Sequence, residues 1–125
     1  MVKNINRILM VAGLLCPFAQ QAQAAKCYIR EYSALGVALT NVAQVAQEPA
    51  LTDQVTADFS SAAVQSSAFN SATSLVRLWC DTQASFLVGT NPTAANTNAP
   101  IAAFVTEYFG VPLGKGYKLS VHSNP

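Results

Sequence analysis

The sequence contains few of the residue types from which nucleic-acid interfaces are built. Only 10% of its 125 residues are charged, and seven Lys and Arg against six Asp and Glu leave a formal net charge of +1. This balance provides no basic footprint for DNA or RNA and no polybasic patch for an anionic membrane. We therefore expect no nucleic acid and no membrane surface among the partners.

Patterns typical of catalytic and metal sites are also missing. The single histidine, His122, lies close to the C-terminus, where chains fray, so a nucleophile would lack a firmly held base. The cysteines and His122 show no C-x-x-C or H-x-x-x-H spacing, and the carboxylates are scattered from Glu31 to Glu107. No glycine-rich phosphate loop is present. The sequence predicts no enzyme activity, no catalytic residue, no metal and no cofactor.

The first 24 residues have the layout of a secretory signal peptide. Lys3 and Arg7 precede an apolar run over 8–16, and Ala22-Gln23-Ala24 supplies small residues before a cleavage site. The run is too short to cross a bilayer, which needs about 20 residues, so we expect no stable membrane anchor. Cleavage after Ala24 would leave a single domain over 25–125 with five basic and six acidic residues. The alternative is an upstream extension of the reading frame.

Alternating apolar residues predict an all-β domain in the remaining chain. Residues 27–32 favour a strand, Val76, Leu78 and Cys80 share one face of the next clear strand, and Tyr117, Leu119 and Val121 share a face of the last. Seven to eight short strands with regular turn signals indicate an antiparallel β-sandwich or a jelly-roll-like small barrel.

Several segments carry more specific expectations. Val55, Ala57 and Phe59 alternate like one strand face, and Asp81-Thr82-Gln83 is typical of a tight turn that joins 75–80 and 84–88 into a central hairpin. Two further strands are expected at 101–105 and 107–111, with a turn over 112–116. Residues 37–47 fit either a helix or a strand, and 89–100 is predicted to be a surface loop.

Trp79 and Arg77 alternate with the apolar residues of their strand and so lie on its opposite face. Exposed Trp and Arg are enriched at protein interfaces, which makes this face a candidate contact surface; the alternative is that Trp79 packs in the core. Cys27 and Cys80 remain after signal cleavage and form one possible disulfide in an exported protein. In a cytoplasmic protein the two would be buried free thiols.

Residues 26–123 resemble a group of short virion-associated proteins of tailed bacteriophages, about 100 residues long. The Gly-Thr-Asn-Pro-Thr-Ala loop and the Glu-Tyr-Phe-Gly-Val strand, at their mutual distance, are the specific part of this resemblance. The matching stretches are 65–69, 75–78 with Asp81, Phe86, 89–94, 106–111, and Gly114 before 118–121. The family pattern begins near Cys27 without an export signal, which is where this chain departs from it.

The resemblance implies a small β-rich structural protein of the virion, either a capsid-decorating or an accessory head protein. Its partners would be the capsid protein or other copies of itself, in a homo-oligomer or symmetric array. We expect the contacts to involve residues 89–100 together with the strand face described above; the candidate interface residues are Arg77, Trp79, Thr90, Asn91, Pro92 and Thr93.

Two other functions remain open from the sequence. One is an exported bacterial β-sandwich, a pilin-like or cell-surface adhesion or binding subunit, located in the periplasm or secreted after signal cleavage. The other is a periplasmic carbohydrate-binding module or inhibitor, in which Tyr28, Tyr32 or Tyr108 would be exposed stacking platforms.

Overall fold

A computed structural model describes residues 23–38 and 41–125, and this part of the chain contains ten strands and no helix. The prediction of an all-β antiparallel domain is confirmed, with more strands than the expected seven to eight. The predicted signal-like helix within 1–24 falls almost wholly outside the described residues. The strands are β1 (Cys27–Tyr32), β2 (Leu35–Ala38), β3 (Asn41–Ala46), β4 (Thr52–Val55), β5 (Val64–Gln65), β6 (Leu75–Cys80), β7 (Ala84–Gly89), β8 (Ala99–Ile101), β9 (Thr106–Gly110) and β10 (Lys118–Ser123).

Eight of these strands form two four-stranded antiparallel sheets that share one core. The first sheet has the order β4-β1-β6-β9 and the second has the order β5-β10-β7-β8, while β2 and β3 form a separate hairpin. Because side chains alternate across a strand, each sheet contributes one face to the core. Val76, Leu78 and Cys80 of the first sheet and Leu119 and Val121 of the second are fully buried there, on the strand faces predicted from the sequence.

The predicted central hairpin is wrong. β6 pairs with β1 and β9, whereas β7 pairs with β10 and β8, so Asp81-Thr82-Gln83 carries the chain from one sheet to the other. The Asp81 carboxylate accepts a hydrogen bond from the backbone N–H of Lys26 at 2.8 Å and so holds this crossing against the start of β1. A short polar connection is compatible with a hairpin and with a crossing between sheets. The packing of β6 and β7 on opposite sides of the shared core decides between the two.

Other segments also differ from expectation. β4 ends at Val55, which is exposed, and the backbone then continues irregularly beside residues 25–27: the Thr56 N–H donates to the Cys27 carbonyl at 2.9 Å and the Phe59 N–H to the Ala25 carbonyl at 3.1 Å, with Phe59 fully buried. The residues expected to form a strand at 101–105 form a turn after β8 instead, and β9 begins one residue earlier than predicted. Of the uncertain segment 37–47, residues 37–38 belong to β2 and residues 41–46 belong to β3. Gly114 and Gly116 have positive φ and make the predicted turn before β10.

Two buried features fasten the first sheet. Cys27 and Cys80 lie directly opposite each other on β1 and β6 and form a disulfide. Glu31, also on β1, is fully buried, and its carboxylate accepts three hydrogen bonds: from Gln54 Nε2 at 2.6 Å, from the Asn70 N–H at 2.7 Å and from Thr73 Oγ1 at 2.6 Å. A buried carboxylate needs such donors to replace its lost water. Glu31 therefore joins β1 to β4 and to the segment that precedes β6.

Candidate contact surfaces

The outer face of the first sheet is an ordered array of aromatic and charged side chains. The strand register places Val55, Tyr28, Trp79 and Thr106 side by side in one row across the sheet. The neighbouring row contains Asp53, Arg30, Arg77 and Tyr108. We call the side chains of these two rows, together with Phe104, the contact face. Trp79 and Arg77, which the sequence placed on a common face, both belong to it.

The aromatic residues of the contact face touch one another but remain accessible. The Trp79 ring centroid lies 5.3 Å from that of Tyr28 and 5.9 Å from that of Phe104, with the planes tilted in both pairs. These distances are typical of favourable aromatic contacts. Tyr28 and Tyr108 are exposed, as the carbohydrate-binding interpretation required, whereas Tyr32 is buried. Trp79 is half-buried and lies outside the shared core.

Phe104 is held in an uncommon backbone conformation. Its φ of 63° lies in the left-handed region, which bulky residues rarely adopt. The Phe104 N–H donates to the Cys80 carbonyl at 2.8 Å, and this bond anchors the turn beside Trp79. The side chain is nevertheless 71% exposed, the highest value among the large apolar residues of the described chain. The fold therefore presents this ring to solvent rather than burying it.

The two arginines of the contact face have different surroundings, although they lie directly opposite each other on β1 and β6. Arg30 forms ion pairs with Glu48, at 3.4 Å, and with Asp53, at 3.3 Å. The contact with Asp53 is made by the Arg30 Nε, which has no hydrogen-bond partner among the described residues. Arg77 has no ion pair with any residue in the described part of the chain. Like charges opposite each other are unfavourable in a sheet. Arg77 is thus the cation that a partner carboxylate could neutralise.

A hollow beside the contact face extends it toward the β2–β3 hairpin. This hollow of about 280 Å³ is lined by Leu35, Val45, Ala46, Leu75 and Tyr108. Leu35, Val37 and Val45 of the hairpin are exposed, so apolar surface continues from the hairpin to Tyr108. A second hollow of about 220 Å³ lies at the other side of the face, near Tyr28 and both arginines. Contiguous exposed apolar surface of this kind marks interaction sites.

Most of the outer face of the second sheet is covered by the chain itself, although Leu87 remains exposed there. Ser120 of β10 and Ser85 of β7 point away from the core, yet both are fully buried. The Ala94 N–H donates to Ser120 Oγ at 2.9 Å, and Ser85 Oγ donates to the Asn96 carbonyl at 3.4 Å. Gln65 Nε2 donates to the Pro92 carbonyl at 2.6 Å. These bonds hold the connection between β7 and β8 flat against the sheet.

The residues of the candidate interface therefore belong to two separate surfaces. Arg77 and Trp79 lie on the contact face of the first sheet, whereas the residues Thr90, Asn91, Pro92 and Thr93 cross the outer face of the second sheet. Thr90, Asn91 and Thr93 are exposed, but Pro92 is buried. The core lies between the two groups, so one flat partner surface cannot contact both at once. The predicted surface loop is packed against the sheet rather than projecting from it.

Two other titratable side chains of the described chain, Tyr32 and His122, make local polar contacts. Burial raises the pKa of Tyr32, and the nearby Glu48 carboxylate raises it further; the Tyr32 hydroxyl lies 3.4 Å from that carboxylate. His122 is paired within β10, and its Nδ1 lies 2.6 Å from the Ser123 carbonyl. Among the residues that the structure describes, no three His, Cys, Asp or Glu side chains are grouped to hold a metal. That part of the chain also has no helix long and apolar enough to span a membrane.

Sequence reasoning missed the role of Phe104, which was assigned to a strand over 101–105. The positive φ of Phe104 cannot be predicted from the sequence, because glycine and asparagine are the residues that usually adopt this conformation. The hollow next to the hairpin was also missed, since it depends on where β2 and β3 lie relative to β9.

Comparison with known proteins finds no match for this chain among family models, curated proteins or solved structures.

Proposed function

We propose that this chain is a non-enzymatic structural protein of a phage particle, a capsid-decorating or accessory head protein that acts through protein–protein contacts. The observation that carries the proposal is the contact face, where the only tryptophan of the chain, an unpaired Arg77 and several exposed apolar side chains lie together. Trp, Tyr and Arg are the residues that dominate binding energy at protein interfaces. A particle-bound protein repeats such a contact in every copy, so that modest contacts suffice.

The strand order supports a finer description of the fold, which we infer to be a permuted jelly roll. In a jelly roll with strands B to I, the sheets run B-I-D-G and C-H-E-F. If the β2–β3 hairpin is set aside and β1 is placed after β10, the orders β4-β1-β6-β9 and β5-β10-β7-β8 become these two sheets. Viral capsid and lectin domains use this architecture. The fold is compatible with the proposed function but does not by itself establish it.

Particle incorporation tests the proposal on each surface separately. The contact-face variant carries Arg77→Gln and Phe104→Asn, and the loop variant carries Thr90→Ala and Thr93→Ala. These side chains are at least partly exposed, so both proteins should keep the circular dichroism spectrum of the wild type. We expect the contact-face variant to be lost from purified particles and the loop variant to be retained. Full incorporation of the contact-face variant would contradict the proposal.

A second function, an exported bacterial adhesion or binding subunit, is favoured by two observations. The Cys27–Cys80 disulfide is typical of oxidising compartments such as the periplasm or the exterior. Ala25, which cleavage after Ala24 would make the first residue, is buried, and its backbone nitrogen lies 3.0 Å from Asp58 Oδ1. Cleavage would turn this nitrogen into an ammonium group, which the Asp58 carboxylate would hold as an ion pair.

Mass spectrometry of protein N-termini distinguishes the two functions. The fractions to compare are purified phage particles and the periplasm and medium of the producing cells. A peptide from this chain in particles and not in the periplasm supports the virion protein. A peptide that begins at Ala25 and occurs only in the periplasm or medium supports the exported subunit and overturns the virion assignment.

A further inference from the structure

The four edges of the two large sheets differ in how well they could pair with another strand. β8 has three residues and contains Pro100, and β5 has two residues, so both are poor templates. β4 has four residues, one fewer than β9, and each of these two edges contains one carboxylate, Asp53 and Glu107 respectively. β9 has five residues without proline, and all except Phe109 are exposed. An exposed, unblocked edge of this kind is a site for pairing with another chain.

The backbone hydrogen bonds of β9 show which of its groups remain available. The Val111 N–H donates to the Ser74 carbonyl at 3.0 Å, which continues the β6–β9 ladder by one pair. Because bonded and non-bonded pairs alternate in an antiparallel ladder, Glu107 and Phe109 direct their backbone groups toward β6. Thr106, Tyr108 and Gly110 direct theirs toward the free edge. No partner for these groups occurs within the described chain.

We propose that β9 pairs antiparallel with β9 of a second copy of this chain, across a two-fold axis at Tyr108. In this register, Tyr108 exchanges both backbone hydrogen bonds with the partner's Tyr108, and Thr106 does so with the partner's Gly110. Every free donor and acceptor of the edge is then used, and the two sheets join into one of eight strands. The interface is isologous, as expected of a two-fold dimer.

Charge and side-chain direction select this register over its neighbour. In a continuous sheet, side chains that point to the same face lie opposite each other on neighbouring strands. The register between the two β9 strands can therefore shift only in steps of two residues. Of the two nearest alternatives, one places Glu107 opposite the partner's Glu107, which is unfavourable, and the other places Thr106 opposite the partner's Pro112, which has no N–H to donate. In the proposed register Glu107 lies opposite the partner's Phe109, and the two Tyr108 side chains meet on the contact face. This step rests on the proposed function, since it names a second copy as one partner of that face.

A proline at the two-fold axis tests the pairing. Tyr108→Pro removes one backbone N–H donor from each copy. The Tyr108 N–H makes no bond within the described domain, and proline is tolerated at a sheet edge. We expect dimerisation to weaken by about thirtyfold, which corresponds to about 2 kcal/mol for two lost hydrogen bonds. Tyr108→Thr is the matched control, because it shortens the side chain and keeps the N–H. Sedimentation equilibrium of the purified proteins over a range of concentrations measures both.

Two results of this experiment would overturn the dimer. One is a wild-type protein that stays monomeric at every concentration. The other is an equal weakening by Tyr108→Pro and Tyr108→Thr, which would mean that the ring and not the backbone makes the contact. Incorporation of Tyr108→Pro into particles is measured separately. A monomeric variant that still enters particles leaves the proposed function standing, whereas a dimeric wild type absent from particles removes that function and leaves the dimer.

Cross-linking tests the register without relying on the proline variant. Opposed residues of a bonded antiparallel pair have Cα atoms about 5.5 Å apart, within the range that a disulfide spans. Tyr108→Cys should therefore form a covalent dimer under mild oxidation. Thr106→Cys lies opposite the partner's Gly110 and should not, and Tyr28→Cys reports background from exposed thiols on the same face. Equal cross-linking of all three variants would contradict the register.

Discussion

The outer face of the first sheet is bare, whereas most of the outer face of the second sheet is covered by the chain's own β7–β8 connection. The bare face carries aromatic rings and a cation without a partner in the described chain; the covered face carries small hydroxyl residues, Ser85 and Ser120, that anchor the connection. Small polar residues allow a loop to approach closely and satisfy its backbone groups. The domain thus covers most of one outer face with its own chain and leaves the other open.

The largest expected effect comes from the disulfide that fastens the bare sheet. Cys27 and Cys80 are 53 positions apart, and closing a loop of this size stabilises by about 4 kcal/mol in the chain-entropy model. The double variant Cys27→Ala with Cys80→Ala should lose about this much free energy of unfolding, as measured by urea denaturation. Addition of a reductant should lower the wild-type value similarly and leave the variant unchanged. An unfolding free energy indifferent to reductant would show that the bond does not form in solution.

Glu31 is the next most sensitive position of the same sheet. Glu31→Gln keeps the shape of the side chain but replaces one acceptor oxygen with an amide donor, which would face either Gln54 Nε2 or both the Asn70 N–H and the Thr73 hydroxyl. We expect a loss of about 3 kcal/mol, because the variant leaves buried donors unsatisfied. Glu107→Gln, at an exposed carboxylate on β9, is the control and should change the free energy of unfolding little. Equal values for the two variants would contradict the assigned role of Glu31.

Ser120→Ala tests whether the covered face depends on its hydroxyl anchor. The variant leaves the Ala94 N–H without an acceptor, and we expect a loss of about 1.5 kcal/mol. Hydrogen exchange of the Ala94 amide should accelerate while exchange in β6 stays slow, since local opening suffices to expose the connection. Thr93→Ala in the same connection is exposed and should leave both quantities unchanged. Slow exchange at Ala94 in the Ser120 variant would mean that other contacts hold the connection.

The connection between β4 and β5 should respond to acid through Asp58. Hydrogen bonds from the Ser60 backbone and side chain, and then from the Ala25 N–H, lower the pKa of this carboxyl, although partial burial opposes them. A lowered folded-state pKa adds stability that is present above the unfolded pKa of about 4 and lost as the pH falls through the folded value. The melting temperature of Asp58→Asn should therefore lie below that of the wild type at neutral pH, and the two should converge in acid. A difference independent of pH would contradict this linkage.

The smallest change in stability is expected on the bare face. Phe104→Asn removes a ring that is 71% exposed and places at positive φ a residue that tolerates it. We expect the free energy of unfolding to stay within about 0.5 kcal/mol of the wild type. Because the ring makes no buried contact, its loss should affect partner binding far more than folding. A large loss of stability would assign Phe104 to the fold instead of to the contact face.

Local alternation predicted β1, β6 and β10 well, because each strand has one face in the core and apolar residues recur at every second position. The same rule failed at Val55 and Phe59, because the irregular backbone between them interrupts the regular alternation of side chains. It also failed for the connection after β6, since Asp81-Thr82-Gln83 has turn residues compatible with a hairpin and with a crossing. The sequence predicted only part of the candidate interface correctly. It grouped Arg77 with Trp79, but it added the 89–100 segment, which lies on the other side of the core.

The sequence by itself determined the all-β class, the buried strand faces and the scarcity of chemistry-bearing residues, because these depend on composition and on a period of two along each strand. Only the tertiary structure decided which strands pair, which outer face stays bare and where β9 offers free hydrogen-bonding groups. These features depend on contacts between residues far apart in the chain. No local pattern encodes them, since the same alternating strand can lie at an edge or in the middle of a sheet, under a loop or open to a partner.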